Sequence, residues 1–109
     1  MRVPLVKIIL TGAVTGTGIF KGSITSNLTF NATSSASSIY LDETTDATTN
    51  ALSNLTINGS GSSLLLNNKV SLYGTLTPVA GILTINDILV LRSTTTSTAS
   101  VGEVTGAIA

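Results

Sequence analysis

Three carboxylates lie close together in one polar stretch of the chain: Asp42, Glu43 and Asp46. Hard cations such as calcium bind several carboxylate and carbonyl oxygens, so this stretch is a candidate metal loop. It has neither the glycine–aspartate pattern of calcium-binding solenoids nor the spacing of an EF-hand loop. We therefore interpret residues 42–50 as a solvated polar loop outside the core, and we expect no metal and no cofactor.

The sequence offers little for catalysis. It contains no His and no Cys, which excludes thiolate and imidazole metal sites and every triad with a His base. A polysaccharide-cleaving β-helix would need paired carboxylates, or a calcium site with a basic residue, on adjacent coils. Asp87 and Arg92 are near each other in the sequence, but no second carboxylate occupies a comparable position. We expect a protein that is not an enzyme, and we predict no catalytic residue.

Threonine in Thr-X-Thr spacing places two hydroxyls on one face of a β-strand. A flat array of such pairs can bind ice or stack against sugars. The Thr-X-Thr pairs are formed by Thr15, Thr17, Thr75, Thr77, Thr94, Thr96 and Thr98. They do not recur at the 27 or 28 residue period of the repeat described below, so ice or glycan binding is kept as an alternative hypothesis. Four Asn-X-Ser/Thr sequons, at Asn27, Asn31, Asn54 and Asn58, need no glycosylation to explain them, because the same Asn residues fit strand and corner positions.

A short sequence motif occurs three times, and the strands that it forms must position the side chains named above. Residues 26–31, SNLTFN, return as SNLTIN at 53–58, and the core of the phrase returns as LTIN at 83–86. A period of 27 or 28 residues is typical of a β-solenoid, because one coil cannot bury its apolar face alone. We expect Leu28, Leu55 and Leu83 to stack in register. We also expect a corner amide ladder of Asn31, Asn58 and Asn86.

These copies predict an all-β fold, a single parallel β-solenoid (β-helix) segment over residues 1–109 with about three to four coils, which we expect to be part of a longer repetitive protein. Residues 1–25 match the repeat poorly, and 26–53, 54–82 and 83–109 form the repeats. Pro78 is expected to end a strand, and Gly74 to mark a bulge or a bend. The alternative is an antiparallel β-sandwich, because turns about every 8 to 12 residues fit that fold almost as well.

Composition narrows the possible settings. Five basic residues balance five acidic ones, and a phosphate-binding surface would need clustered Lys and Arg, so we expect no nucleic-acid partner. A hydrophobic content of 42% favours an ordered chain over a disordered one. No stretch approaches the roughly 20 apolar residues of a spanning helix, so we expect no membrane span. Solubility through hydroxyls and amides favours an exported surface protein.

Several phrases resemble the repeat region of large Bacteroidetes adhesin-like surface proteins, which are cargo of the type IX secretion route. They are NLTINGSG at 54–61, VSLYGTLTP at 70–78, GILTIND at 81–87, LVLRS at 89–93 and TASVG at 98–102. The resemblance covers the chain from about Gly16 onward. It implies an extracellular or cell-surface location and a structural or adhesive role.

The favoured function is therefore a non-enzymatic extracellular or cell-surface stalk or scaffold. The runs 64–66 and 88–91 are apolar on both faces, whereas a solenoid strand buries only one. Some of Leu65, Ile88 and Val90 should point outward and need a cover, which predicts self-association into homo-oligomers or fibres. Surface glycans and other cell-surface proteins are further candidate partners. The alternatives are a glycan- or ice-binding β-solenoid module and a fragment of a polysaccharide-degrading β-helix enzyme.

Overall fold

Short parallel strands make up most of the chain. The computed structural model describes residues 2–4, 7–12, 14–16, 18–85, 89–93, 99–101 and 107–108, and none of these residues is helical. The strands are β1 (Arg2–Pro4), β2 (Lys7–Leu10), β3 (Ile19–Lys21), β4 (Asn27–Phe30), β5 (Ala36–Leu41), β6 (Ala51–Leu52), β7 (Asn54–Leu66), β8 (Val70–Leu72), β9 (Thr75–Ile85), β10 (Leu89–Leu91), β11 (Ser100–Val101) and β12 (Ala107–Ile108).

Each of these strands pairs in parallel with a strand of the neighbouring coil. One sheet runs in the order β1-β3-β5-β7-β4-β2, with β9, β11 and β12 attached through β7 and β9, and a second sheet contains β6, β8 and β10. The strands stack as a β-solenoid of about four turns. The predicted all-β parallel solenoid is confirmed, and the antiparallel sandwich alternative is wrong.

The solenoid has three faces, which we name by the strands that form them. Face A contains β2, β4, residues 54–57 of β7, residues 75–78 of β9, and β11. Face B contains residues 36–39 of β5, residues 63–66 of β7, residues 82–85 of β9, and β12. Face C contains the remaining strands, β1, β3, β6, β8 and β10. The Gly22 amide donates a hydrogen bond to the Thr49 carbonyl at 2.7 Å, which links the end of β3 to the chain that enters β6.

The register corrects the predicted third copy of the repeat. Leu28 pairs with Leu55 as expected, but Leu55 pairs with Leu76, and Leu83 pairs with Leu64 on face B. The chain advances 27 residues from Asn27 to Asn54 and only 21 from Asn54 to Thr75. The longer step contains the loop 42–50, so the spacing of 27 or 28 residues is not the length of a plain coil. The division into 26–53, 54–82 and 83–109 used this misassigned copy for its last boundary.

Inward-facing leucine, isoleucine and phenylalanine side chains form one continuous core. Leu28, Leu55 and Leu76 stack from face A, and Leu64 and Leu83 from face B; all five are almost fully buried. Strands β4, β5 and β7 show the alternation of buried and half-buried positions that a one-sided strand requires. Burial of this ladder is the main favourable contribution to folding.

The corners are set by glycine and proline, partly as expected. Gly74 lies in the bend between β8 and β9, which confirms the predicted bend. Pro78 does not end a strand: it lies within β9 opposite Ile57. The register then shifts by one residue, so that Asn58 faces Ala80 and Val79 is the extra residue. Proline has no N–H to donate to the ladder, so within sheets it is confined to edges and to irregular positions such as this one.

The polar loop 42–50 leaves the stack, but it is not simply solvated. Asp42, Thr49 and Asn50 are buried. The Thr49 hydroxyl donates to the Asp42 carbonyl at 2.9 Å, and the Asn50 Oδ1 accepts from the Ala47 amide at 2.7 Å. On the far side of the loop, the Tyr73 hydroxyl donates to the Ala47 carbonyl at 2.7 Å. The loop is therefore a structured insertion that packs against face C.

Candidate functional site: an outward Asn/Thr face

The predicted carboxylate cluster does not converge on one point. Asp42 is only 4% exposed, and its Oδ1 accepts a hydrogen bond from the Thr44 amide at 2.8 Å. Glu43 is exposed. Asp46 forms an ion pair with Lys69, with 3.0 Å between Oδ2 and Nζ. Within the part of the chain that the structure describes, no group of three acidic, His or Cys side chains could hold a metal ion.

The second candidate pair also has a structural contact. The Arg92 Nε donates to the Ser71 hydroxyl at 2.9 Å, and Ser71 is fully buried on face C. Asp87 lies outside the described residues. Arg92 therefore satisfies a buried hydroxyl on the adjacent coil.

The most regular outward surface is on face A, and we call it the Asn/Thr face. It consists of the outward side chains of three successive strands: Asn27, Thr29, Asn54, Thr56, Thr75 and Thr77. Because Leu28, Leu55 and Leu76 are buried between them, these side chains point away from the core. The register makes two columns, one of Asn27, Asn54 and Thr75 and one of Thr29, Thr56 and Thr77.

The first column is held together by side-chain hydrogen bonds. The Asn54 Nδ2 donates to the Asn27 Oδ1 at 2.9 Å, and the Asn54 Oδ1 accepts from the Thr75 amide at 2.9 Å. Beyond it, the Thr75 and Ser100 hydroxyls are 3.3 Å apart. These contacts connect four successive coils and fix the spacing of the column.

The second column differs because its hydroxyls are available. Among the described residues, no hydrogen bond joins the hydroxyl of Thr29, Thr56 or Thr77 to another protein group. All three side chains are half-buried. Neighbouring coils are about 4.8 Å apart, and alternate residues of one strand are about 6.6 Å apart. The second column thus presents available hydroxyls and methyls at the regular spacing of the coils, beside the hydrogen-bonded first column.

Only part of this face was visible in the sequence. Thr75 and Thr77 were recognised as a Thr-X-Thr pair, and they lie outward on β9 as the spacing predicts. Thr29 and Thr56 were missed because Asn precedes them at the position where Thr75 precedes Thr77. The Leu-Thr dipeptide at 28–29, 55–56 and 76–77 marks the column in the sequence, but the predicted repeat uses Leu83-Thr84 as its third copy. Thr15 is exposed in a loop, and Thr17, Thr94, Thr96 and Thr98 lie outside the described residues.

The predicted corner ladder of asparagines is wrong for the residues that the structure describes. Asn31 and Asn58 are exposed, and no hydrogen bond joins their side chains within those residues; Asn86 lies outside them. The amide contact connects the other asparagines of the repeated phrase, Asn27 and Asn54. Asparagine also caps a corner elsewhere, since the Asn68 amide accepts from the Leu41 amide and donates to the Leu41 carbonyl.

Two outward apolar residues, Leu65 and Ile82, lie on face B, whereas Ile9 on face A and Leu91 on face C are also exposed. Leu65 is half-buried and lines an open groove of about 370 Å³ with Thr15, Ala36, Ser38, Ser63 and Thr84. Ile82, one coil further, is 44% exposed. Val90 is half-buried on face C, and Ile88 lies outside the described residues. The expectation that Leu65 points outward therefore agrees with its position.

Comparisons with protein-family models, with curated proteins and with solved structures gave no match for this chain. Along the stretches that the structure describes, there is no helix long and apolar enough to cross a membrane.

Proposed function

We propose that the chain is a stalk or scaffold segment of an extracellular or cell-surface protein and has no enzymatic activity. The observation that carries this proposal is the unbroken core ladder, which passes from Leu28 through Leu55 to Leu76 across successive coils. Stacked coils of this kind form a quasi-one-dimensional body in which each coil contacts its neighbours. Such a body suits the task of holding other modules at a distance.

The distribution of polar groups supports the same role. Buried hydroxyls and amides satisfy backbone or side-chain groups of the adjacent coil, as the Ser62 hydroxyl does by donating to the Ala32 carbonyl at 2.7 Å. In the described part of the chain, no buried side-chain nitrogen or oxygen lacks a hydrogen-bond partner. Polar groups that are this fully committed to structure leave little for catalysis.

The proposed location rests on sequence. The phrases at 54–61 and 70–78 resemble the repeats of Bacteroidetes adhesin-like surface proteins, and in this chain they form β7, β8 and the start of β9. The sparse charge and abundant hydroxyls also suit an exported protein. Proteins or glycans of the cell surface are the partners that we propose for the modules this segment would carry.

Surface labelling of intact source cells tests the location. Antibodies raised against the folded chain should label unpermeabilised cells, and protease treatment of intact cells should remove the signal. An antibody against a cytoplasmic protein is the control for cell integrity. Labelling that appears only after permeabilisation would rule out the surface location.

A second candidate function is recognition by the solenoid surface itself. The observation that favours it is the alignment of Thr29, Thr56 and Thr77 in one column. The two classes of ligand for such a surface are ice and glycans. A role in binding is compatible with a stalk, because it uses the outward side of face A and leaves the core unchanged.

A further inference from the structure

We infer that the Asn/Thr face binds ice. The inference goes beyond a stalk role, because it assigns a ligand to one face of the solenoid. It rests on three features of that face: its unbroken register, its free hydroxyls, and the absence of charged and aromatic side chains among its six residues.

The register makes the face a lattice. From Asn27 to Phe30 each residue pairs with its counterpart in residues 54–57, and the pairing continues from Leu55 to Ile57 with residues 76–78 without a shift. The irregular positions of the β7–β9 pairing lie after Ile57, outside the face. A crystalline ligand requires such regularity, because each site must match its neighbours in two directions.

The chemistry of the second column suits ordered water. Each threonine offers one hydroxyl, which both donates and accepts, beside one methyl group. Because no protein group of the described residues bonds to these hydroxyls, water is their remaining partner. Half-burial of Thr29, Thr56 and Thr77 and their stiff β-branched side chains limit their movement. Waters bound to fixed hydroxyls about 4.8 Å apart along the column occupy repeating positions, and this spacing is close to a repeat distance in hexagonal ice.

The first column supplies rigidity. Asn54 bridges Asn27 and the Thr75 backbone, so the amides hold adjacent coils in place. Uncharged groups also suit ice, because an ammonium or carboxylate holds a strong hydration shell that does not fit the crystal. Lys7 is exposed and pairs with Asn27, which places the first charge at the edge of the face.

Ice is favoured over a glycan by what the face lacks. Sugar rings stack on aromatic side chains, and none of the six residues is aromatic. Tyr73 is committed to the loop through its hydrogen bond to Ala47. A flat uncharged face without an aromatic platform gives a sugar chain little contact area for stacking.

The test uses the full chain and measures incorporation into a slowly growing ice hemisphere together with thermal hysteresis. The wild-type chain should concentrate in the ice. Thr56→Lys places a charge at the centre of the second column and should abolish incorporation. Thr84→Lys is the matched control, because Thr84 is also a half-buried outward threonine but lies on face B; it should behave like the wild type.

Thr56→Val preserves the shape and the methyl groups but removes the hydroxyl, and it should reduce incorporation less than Thr56→Lys does. Circular dichroism of each variant establishes that the solenoid is folded. Exclusion of the folded wild-type chain from ice would overturn the inference, and so would equal incorporation of the folded Thr56→Lys variant. Exclusion from ice combined with retention on an insoluble polysaccharide would assign the face to glycans instead. None of these outcomes alters the surface-labelling result, which tests the proposed surface location.

Discussion

At the scale of single residues, asparagine has two different roles in the repeated phrase. Asn54 faces outward on the regular part of β7, where its amide connects Asn27 below with the Thr75 amide above. Asn58 lies at the end of that regular part, where the register shifts. The two residues look equivalent in the sequence, but among the described residues only the Asn54 side chain forms hydrogen bonds to the neighbouring coils.

Replacement of Asn54 by Ala should lower the free energy of unfolding by about 1 kcal/mol, because the Thr75 amide loses its acceptor and Asn27 loses its donor. Asn58→Ala is the control; it removes an exposed side chain that forms no hydrogen bond within the described residues, and its effect should stay within about 0.5 kcal/mol. Urea unfolding at equilibrium measures both. Equal effects of the two substitutions would contradict the bridging role of Asn54.

The ion pair of the loop predicts a dependence on pH. The pKa of Asp46 lies below its ordinary value, because Lys69 and then Asn50 donate hydrogen bonds to its carboxylate. A depressed folded-state pKa stabilises the fold above the unfolded-state pKa, and this stabilisation is lost as the pH falls through the folded-state value. Asp46 is 59% exposed, so solvent screens the effect and it should be small.

Asp46→Asn should therefore lower stability at neutral pH and flatten the acid side of the stability profile. Thermal unfolding across that pH range measures the change. In a Lys69→Gln background the same substitution should have less effect, because the largest cause of the pKa shift is already absent. An unchanged effect in that background would mean that Lys69 does not act on Asp46.

At the scale of elements, β7 shows how one strand serves two faces. Leu55 and Leu64 are fully buried in the core, whereas Leu65 points outward into the groove of face B. Between them, the run 58–63 carries the chain around a corner with two register shifts. Leucine side chains at neighbouring positions of β7 should therefore contribute different amounts to the free energy of unfolding.

Leu55→Ala should cost about 2 to 5 kcal/mol of stability, because it opens a cavity between Leu28 and Leu76. Leu65→Ala on the same strand is the matched control and should cost clearly less, since part of its surface is already in water. Denaturant titration distinguishes them. Comparable losses would mean that Leu65 belongs to the core.

The corner of β9 depends on glycine. Gly81 has a φ of +87°, and a Cβ there would meet the carbonyl oxygens of Gly59 and Ser62. Gly81→Ala should destabilise the fold by about 1 to 3 kcal/mol, because alanine is strained at this φ and also clashes. Gly12→Ala is the control, since no atom lies within 4 Å of its Cβ position; a loss of similar size there would refute the role of the corner. Thermal unfolding measures both variants.

The sequence predicted the type and direction of the elements better than their register. Alternation in residues 27–30 and 54–57 was sufficient for outward and inward positions, because a strand has a period of two. The predicted position of the third repeat was wrong because the coil before it has no insertion like the loop 42–50. The step from Asn54 to Thr75 is therefore shorter than the step from Asn27 to Asn54. Leu-Thr occurs at both 76–77 and 83–84, and only the strand pairing shows that Thr77, not Thr84, continues the column of Thr29 and Thr56. The sequence around Asp42 and Asn50 is polar and gives no indication that these two side chains are buried.

At the scale of the whole molecule, face B is the surface that predicts self-association. Ile82 and Leu65 lie diagonally on adjacent strands of this face, and water is displaced if a second copy covers them. Sedimentation at increasing concentration should show homo-oligomers, and Ile82→Glu should shift the distribution towards monomer. Ile24→Glu is the control, because Ile24 is a 53% exposed residue of a turn. A wild-type chain that stays monomeric at high concentration would contradict the prediction.

The loop 42–50 has one more consequence, for protein engineering. It lengthens one coil, yet Leu28 still pairs with Leu55 and Ile39 still pairs with Leu66 on either side of it. The stack thus absorbs extra chain at this corner without loss of alignment. Thr48 at the exposed part of the loop is accordingly a suitable position for grafting a foreign epitope, which the solenoid would then display away from the Asn/Thr face.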